Sequence, residues 1–310
     1  MRPLLSIVVP LYRSRDSIER LIRELSELQV DGGCELVLVN DGSPDDTAEL
    51  AEKFMQSSQR AITLVKLSRN YGEYNAVMAG LHHAQGEYIV TMDDDLQNPP
   101  SEALRLLQHA RDGGHDVVYS YYADKKHASW RNLGSWLTNR VSDLLLDKPR
   151  GLYLSSFRVM SSFVAKQICR YDGPYVYVDG LILQVTQRIG TLEVRHDERA
   201  SGTSNYTIRR LVRLWLVMFV GFSVMPLRIA TLTGFLMAVS GFLFMIAVVV
   251  IRLVYGSVEG WSSLMAALLL FSGTQLILLG VAGEYIGRTY LTANKRPQFV
   301  VRDVVRNGRS

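Results

Sequence analysis

Cysteine is scarce in this chain, and neither sign of charge dominates. The 310 residues include two cysteines, Cys34 and Cys169, which lie far apart and lack the spacing of metal ligands. We interpret both as reduced, structural residues of a cytosolic domain. The 6 histidines form no HExxH motif, and a net charge of +4 does not indicate a nucleic-acid-binding protein. Neither a disulfide framework nor a cysteine–histidine metal site is therefore expected.

Long apolar runs are missing from residues 1–204, where short apolar stretches alternate with polar segments of helical periodicity. The apolar run at the N-terminus stops at Pro10, so it predicts a buried strand and not a signal peptide. We predict strands at residues 4–9, 35–40, 62–67, 88–92 and 116–120, and helices at residues 16–28, 45–55, 74–83 and 102–112. Strands that alternate with helices predict a parallel α/β sheet covered on both faces.

The last third of the chain contains two long uncharged stretches, residues 229–251 and 260–283. Each is long enough to cross a hydrocarbon core as a helix, which needs about 20 residues. Arginine and lysine lie on the outer flanks, whereas the connection at residues 253–260 carries Glu259 and no basic residue. By the positive-inside tendency, we predict two transmembrane helices with both flanks in the cytosol. Core helices of a soluble protein are the alternative.

These features divide the chain into four parts. We predict an α/β domain at residues 1–204, an amphipathic juxtamembrane helix at 205–227, two transmembrane helices with a short extracytoplasmic loop at 228–287, and a basic cytosolic tail at 288–310. The second part has apolar residues at helical spacing and a cluster of arginines at its start. That pattern suits a helix lying in the membrane interface. Packing of this helix on the soluble domain is the alternative.

An acidic motif, MDDDLQNPP, follows the fourth predicted strand. Asp93, Asp95 and Gln97 share one face if the strand geometry continues. Ligands of open α/β sheets bind beyond the carboxyl ends of the strands, and Mg²⁺ or Mn²⁺ takes oxygen ligands together with substrate phosphates. The motif therefore predicts a divalent-metal site that holds a diphosphate. An acidic loop capping the next helix is the alternative.

Two further motifs lie at predicted strand ends. In VNDGS, the Asp41 carboxylate is placed to accept hydrogen bonds from a base or ribose, although turn chemistry and helix capping favour the same residues. In SRNYG, Arg69 and Asn70 lie between a strand and a helix. Gly72 either lets a ligand approach the backbone or simply permits the turn.

In this order, VNDGS, NYG and MDDDLQNPP resemble the family-2 glycosyltransferases of GT-A fold, and most closely the polyprenyl-phosphate glycosyltransferases among them. The resemblance covers nearly the whole chain, including the GEYIGR segment that closes the second membrane stretch. It implies an inverting, metal-dependent transfer of a sugar from a nucleotide sugar to undecaprenyl phosphate for cell-envelope glycosylation. The resemblance favours UDP over GDP as the nucleotide of the donor. It also implies an inner-membrane protein and a homo-oligomer such as a tetramer. The sequence leaves the sugar open.

The resemblance assigns roles to individual residues. It makes Asp95 and Gln97 the Mg²⁺ or Mn²⁺ ligands and gives Asp94 no direct role. The catalytic residues that it implies are Asp93, Asp95 and Asp179, although Asp179 also suits a structural cap before Gly180. The residues that it implies for nucleotide-sugar binding are Pro10, Tyr12, Asp41, Arg69, Asn70 and Asp93.

Acceptor and diphosphate binding fall on three segments. The residues that the resemblance implies are Arg131, Ser135, Arg140, Ser155, Arg158, Arg199 and Ser204. The first three share a helical stripe, for which a solvated surface is the alternative. The chain departs from the family pattern at Asn205, where lysine is usual, and at Leu152, where many relatives carry an acidic residue.

Two other functions fit part of the pattern. A processive polysaccharide synthase would carry a Gln-x-x-Arg-Trp motif, but RRLVRLW lacks the glutamine, and two helices do not enclose a polymer channel. A non-catalytic membrane adaptor that binds nucleotide sugars is compatible with the two departures. The intact acidic motif argues against the adaptor.

Overall fold

A computed structural model describes residues 2–122, 152–195, 225–255, 260–295 and 297–308. The chain divides into two compact units, an α/β unit that includes both ends of the chain and a pair of long helices. The predicted juxtamembrane helix lies outside the described residues over 205–224, as do the acceptor stripe Arg131, Ser135 and Arg140 and the loop residues Arg199 and Ser204.

One mixed sheet forms the centre of the α/β unit, with the strand order β7-β5-β6-β4-β1-β2-β3-β8. The strands are β1 Leu5–Leu11, β2 Cys34–Asn40, β3 Ala61–Leu67, β4 Tyr88–Thr91, β5 Val117–Tyr121, β6 Arg158–Ser161, β7 Ile189–Glu193 and β8 Val301–Arg306. Strands β1 to β4 run parallel to one another. Because β6 is antiparallel to both β4 and β5, β5 points the same way as the first four strands.

Helices surround this sheet. Those of the α/β unit are α1 Ile18–Glu27, α2 Thr47–Ser57, α3 Glu73–His83, α4 Pro100–Gly113, α5 Ser162–Ile168 and α6 Val178–Val185. In α1, Ile18, Leu21, Ile22 and Leu25 recur at helical spacing and are buried, so the apolar stripe packs into the core. Every residue of β2 is buried, as expected for a central strand covered on both faces.

The structure confirms all five predicted strands and four predicted helices of the α/β domain, with ends shifted by a few residues. The sheet is mixed, however, and not parallel throughout. The antiparallel strands β6 and β8 and the short strand β7 were not predicted. Strand β6 has four residues and β7 has five.

The stretch predicted as a basic tail contains strand β8, which pairs antiparallel with β3. The Asn307 side chain fixes its end, since Nδ2 donates to the carbonyls of Met55 (3.0 Å) and Arg60 (2.8 Å) and Oδ1 accepts from Ile62 N–H (3.2 Å). The chain therefore returns from the two long helices into the sheet of the α/β unit.

The second unit consists of α7 Met225–Tyr255 and α8 Trp261–Ala293. Both helices are long and apolar enough to cross a membrane, over Leu227–Ile251 with mean hydropathy 2.6 and Leu270–Ala293 with mean hydropathy 1.2. In the described helix pair, neither window has a buried residue, which disfavours the alternative of a soluble protein's core. Gly234 faces Leu278 of the other helix, and Gly241 faces Phe271. A Cβ atom added at either glycine would be in van der Waals contact with that side chain.

Candidate active site at the carboxyl edge of the sheet

The sheet brings the three motifs to one edge. Since β1 to β5 point the same way and β6 runs against them, the ends of the first five strands and the start of β6 share that edge. The residues that lie there are Tyr12, Asp41, Arg69, Asp93, Tyr122 and Ser156. This edge is where open α/β sheets bind ligands.

Of the carboxyl groups at this edge, that of Asp93 has the largest shift in pKa. Ser156 Oγ donates to Asp93 Oδ2 over 2.9 Å. Removal from water, together with the negative charges of Glu73, Asp95 and Asp94, raises the pKa of Asp93 to about 7, and the hydrogen bond from Ser156 opposes this shift. Among the residues that the structure describes, negative charge therefore accumulates at Asp93, and no basic side chain lowers its pKa.

Asp94 is engaged by the loop that follows β1. Ser14 Oγ donates to Asp94 Oδ2, and the backbone of Tyr12 also hydrogen-bonds this carboxylate. Burial raises the pKa of Asp94, which these hydrogen bonds partly offset. The contacts tie the acidic motif to the segment that follows β1, and the absence of a direct role for Asp94 stays a prediction.

Asp95 and Gln97 lie in the turn after Asp94, where Gln97 N–H donates to Asp95 Oδ1 over 3.1 Å. Both side chains are partly exposed. With Asp93 they offer the hard oxygen donors that Mg²⁺ or Mn²⁺ prefers, and a cation there would neutralise the charge that raises the pKa of Asp93. The residues therefore fit such an ion. Within the described ranges, no three acidic, histidine or cysteine side chains form a complete metal site, so substrate phosphates would have to complete the shell.

Asp41 is used by the fold itself. Its Oδ1 accepts from Tyr71 N–H at 2.7 Å and its Oδ2 from Gly72 N–H at 2.8 Å, immediately before α3. Burial raises the pKa of Asp41, although both amides oppose that shift. This long-range contact differs from the local turn and helix cap that the sequence offered as the alternative, and the base or ribose contact stays a prediction.

Gly42 allows this loop to lie close to β2. Its φ is +59°, and a Cβ atom there would lie 2.4 Å from the Arg69 carbonyl carbon and 2.6 Å from Asn70 N. Only glycine leaves room for the backbone at 69–70 in this position. Asp41 and Gly42 together hold the NYG loop at the carboxyl edge.

The predicted nucleotide-binding residues border the same edge. Pro10 lies within β1, and Tyr12, Arg69 and Asn70 are exposed. The Arg69 guanidinium lies 4.7 Å from the ring centroid of Tyr71. Exposed aromatic and cationic groups of this kind can contact a nucleobase and a diphosphate.

The structure places Ser155, Arg158 and Asp179 in the interior. Ser155 Oγ lies 3.0 Å from Ser120 Oγ, and Arg158 Nη1 forms an ion pair with Asp179 Oδ1. Arg158 and Asp179 are 2% and 5% exposed. Asp179 therefore pairs with Arg158 from inside α6 and does not cap that helix, while its catalytic role and the phosphate contact of Arg158 stay predictions.

Sequence reasoning missed three groups of this edge. Glu73 was not singled out, yet its charge is the second cause of the raised pKa of Asp93. Tyr122, whose hydroxyl donates to Asn98 Oδ1 at 3.0 Å, and Tyr153 form an edge-to-face ring pair with centroids 6.5 Å apart. For Tyr122 and Glu73 the available signal was a position directly after a strand or at the start of a helix, whereas Tyr153 lies in neither position.

A mixed sheet with carboxylates at the ends of β2 and β4 defines an α/β enzyme of the GT-A type. The profile of "Glycosyl transferase family 2" matches residues 6–168. The chain belongs to this family and is a glycosyltransferase.

Relatives match over nearly the whole chain. An undecaprenyl-phosphate 4-deoxy-4-formamido-L-arabinose transferase of Pseudomonas aeruginosa is 35% identical over 98% of this chain and 91% of its own length. The enzyme of the same name from Klebsiella pneumoniae is 33% identical over 97% of this chain and 93% of its own length.

Solved structures support the fold. Glucosyl-3-phosphoglycerate synthase from Mycobacterium tuberculosis, in complex with phosphoglyceric acid, superposes with a TM-score of 0.51 at 18% identity, over 70% of this chain and 79% of its own. The same enzyme with Mn²⁺, UDP-glucose and phosphoglyceric acid gives a TM-score of 0.50 at 20% identity, over 69% and 76% of the two chains.

Proposed function

We propose that this glycosyltransferase moves a sugar from a UDP-sugar to undecaprenyl phosphate at the cytosolic face of the membrane. The observation that carries the proposal is the negatively charged edge around Asp93, in a chain similar over its length to undecaprenyl-phosphate sugar transferases. The names of those relatives make UDP-4-deoxy-4-formamido-L-arabinose the first donor to test.

Asp93, Asp95 and Gln97 would hold a Mg²⁺ or Mn²⁺ ion. Bound there, the ion would supply charge stabilisation for the departing diphosphate. Mn²⁺ accompanies UDP-glucose in a relative of the same fold. Asp93 accepts from Ser156 Oγ at 2.9 Å and Asp95 from the amide of Gln97 at 3.1 Å, and these contacts support the proposal that both carboxylates face the donor.

The acceptor needs no strong base in this proposal. A phosphate monoester has a second pKa of about 6, so its oxygen is already ionised at neutral pH. Leu152 is buried and apolar, and Asp179 is closed in its pair with Arg158. The phosphate oxygen attacks the anomeric carbon as the UDP oxygen leaves, which inverts that centre.

The acceptor phosphate would be held in line by cations of the segments outside the described residues. Arg131, Ser135, Arg140, Arg199 and Ser204 keep that role as proposals. Positioning of this kind accounts for a large part of the rate enhancement in transfer reactions.

The two long helices would cross the inner membrane as a hairpin. Residues 195 and 297, which lie before and after the hairpin in the chain, both belong to the α/β unit. Two crossings therefore return the chain to the side of the membrane from which it left. The short loop would then lie outside the cytosol, in agreement with the basic flanks. A homo-oligomer remains part of the proposal.

A transfer assay in detergent tests the function. Purified protein, undecaprenyl phosphate, Mn²⁺ or Mg²⁺ and radiolabelled UDP- and GDP-sugars are combined, and label is counted in the organic phase. We expect label from a UDP-sugar, lost with a chelator and restored by metal. Binding of UDP without transfer from any donor would support the adaptor instead, and a growing polymer would support the processive synthase.

A further inference from the structure

A buried polar cluster lies directly beneath the carboxyl edge. It consists of Arg158, Asp179 and Tyr119, and we call it the Arg158 cluster. Arg158 Nη1 pairs with Asp179 Oδ1, and Tyr119 O–H donates to the same oxygen over 3.0 Å. The Arg158 guanidinium also lies 5.6 Å from the Tyr119 ring centroid. Three elements, β5, β6 and α6, therefore meet at one ion pair.

The cluster is connected to Asp93 through a short turn. Arg158 Nη1 contacts the carbonyl of Ser155 at 3.4 Å, and the next residue, Ser156, donates to Asp93 Oδ2 at 2.9 Å. Thr91 Oγ1 donates to the Ser156 carbonyl at 2.6 Å. The 155–156 turn is thus held from below by Arg158 and from the side by β4, and it presents one hydroxyl to Asp93.

The cluster is also connected to α3. The rings of Tyr74 and Tyr177 meet edge to face with centroids 5.5 Å apart, and Tyr177 immediately precedes α6. Burial raises the pKa of Tyr74, and the charge of Asp179 raises it further. Glu73, the neighbour of Tyr74, begins α3 and acts on Asp93. Two of the groups that act on Asp93, Ser156 and Glu73, therefore lie on segments linked to the Arg158 cluster, the first directly and the second through Tyr74 and Tyr177.

Stability alone does not explain this arrangement. A buried ion pair is often no more stabilising than apolar side chains of the same volume, because both charges lose their hydration. In the described part of the chain, Arg158 Nε is buried and has no hydrogen-bond partner. A buried unsatisfied donor in a native structure calls for an explanation other than stability.

We infer that Arg158 and Asp179 are positioning residues that hold the 155–156 turn, and through Ser156 hold Asp93 toward the donor. Neither acts as the base or as a ligand of the acceptor phosphate. The inference rests on the proposed transfer reaction, and it replaces the roles that the family resemblance implied for these two residues. Its consequence is that loss of the ion pair and loss of the Ser156 hydroxyl damage the same contact.

A double-mutant cycle tests this coupling. Asp179→Asn and Ser156→Ala are each expected to lower kcat about tenfold, and the double variant about tenfold as well, because the second change removes a contact already lost. The KM for undecaprenyl phosphate stays unchanged in all three. Losses that multiply to about a hundredfold, or an acceptor KM that rises with Asp179→Asn, would overturn the inference.

Two further variants keep the test valid if Asp179→Asn does not fold. Tyr119→Phe removes only the hydroxyl that donates to Asp179, and Arg158→Lys keeps the charge. We expect Tyr119→Phe to lower kcat and to be non-additive with Ser156→Ala, and Arg158→Lys to retain more activity than Arg158→Met. Tyr121→Phe is the matched control, since Tyr121 lies on the same strand and is exposed. A fall in melting temperature with unchanged kcat in Tyr119→Phe would show a purely structural pair.

The affinity for UDP in the presence of Mn²⁺ provides a readout without transfer. Ser156→Ala and the variants of the Arg158 cluster are expected to weaken UDP binding non-additively, because Asp93 is displaced in each. If the wild-type protein binds UDP but transfers no sugar, the proposed function fails while this cycle still decides the inference. Full additivity in UDP binding would contradict it.

Discussion

Asp41 and Asp93 follow the parallel strands β2 and β4, which lie on either side of β1 and end at the same sheet edge, yet the two carboxylates have opposite surroundings. Both oxygens of Asp41 accept backbone amides, at 2.7 and 2.8 Å, before α3. Asp93 has one hydroxyl partner, at 2.9 Å, and faces the charges of Glu73, Asp95 and Asp94. The Asp41 carboxylate therefore holds the loop before α3, whereas Asp93 lies among negative charges that a bound cation would neutralise. Position at a strand end alone does not distinguish the two.

The largest effect is expected on the Asp93 side. Asp95→Asn should lower transfer about a thousandfold, because a bound metal contributes several kcal/mol of charge stabilisation in the transition state. The assay is label transfer to undecaprenyl phosphate at saturating Mn²⁺. Asp112→Asn, on the exposed end of α4, is the control and should leave the rate unchanged. Full metal-dependent turnover by Asp95→Asn would remove this residue from the site.

The Asp41 side should respond first in stability. Gly42→Ala places a Cβ atom 2.4 Å from the Arg69 carbonyl carbon at a φ of +59°. Overpacking and the left-handed conformation should together destabilise the fold by about 2–4 kcal/mol and displace the NYG loop. Thermal unfolding and the KM for the donor measure the two consequences.

Gly114→Ala is a matched control for that substitution. Gly114 has a φ of +60°, but a Cβ atom there would have no heavy atom within 4 Å. It therefore carries the conformational cost without the clash, and the difference between the two variants isolates the contact with the 69–70 backbone. Equal losses in both variants would mean that the loop does not depend on the close approach at Gly42.

The sequence alone does not predict most of this contrast between Asp41 and Asp93. Continuous apolar runs predicted β1 to β5, and strand polarity then placed the three motifs at one edge. The partners of the carboxylates come from distant segments: Tyr71 is 30 residues from Asp41, and Asp93 is 63 from Ser156. Periodicity reports which face of an element is buried, but it does not report such pairings.

The same limit explains the missed strands and the Arg158 cluster. Strand β8 has six residues and lies at the sheet edge, partly exposed, so its pattern matches a polar tail as well as a strand. Arg158 and Asp179 lie 21 residues apart in sequence, on β6 and α6, and only the folded chain brings them into contact. The family resemblance identified both residues as notable, but contacts were needed to suggest what they do.

Opposite changes in stability would sharpen the comparison. Asp41→Asn replaces one acceptor oxygen by an amide NH₂ group facing a backbone N–H, so it should destabilise the fold by about 1–2 kcal/mol. Asp93→Asn removes a charge that its surroundings disfavour, so the melting temperature should rise. Both are measured by thermal unfolding with a chelator present. If the two melting temperatures move in the same direction, the contrast between the carboxylates is wrong.

The smallest effect should come from the middle residue of the acidic motif. Asp94→Asn keeps an oxygen that can accept from Ser14 Oγ, so transfer should fall by no more than about threefold, within the value of one neutral hydrogen bond. Ser14→Ala removes the donor instead and should give a change of similar size, because both variants loosen the same link to β1. A loss with Asp94→Asn comparable to that with Asp95→Asn would place all three aspartates in the chemistry. In that case Asp94 would belong with the carboxylates that face the donor and not with those that have a structural role.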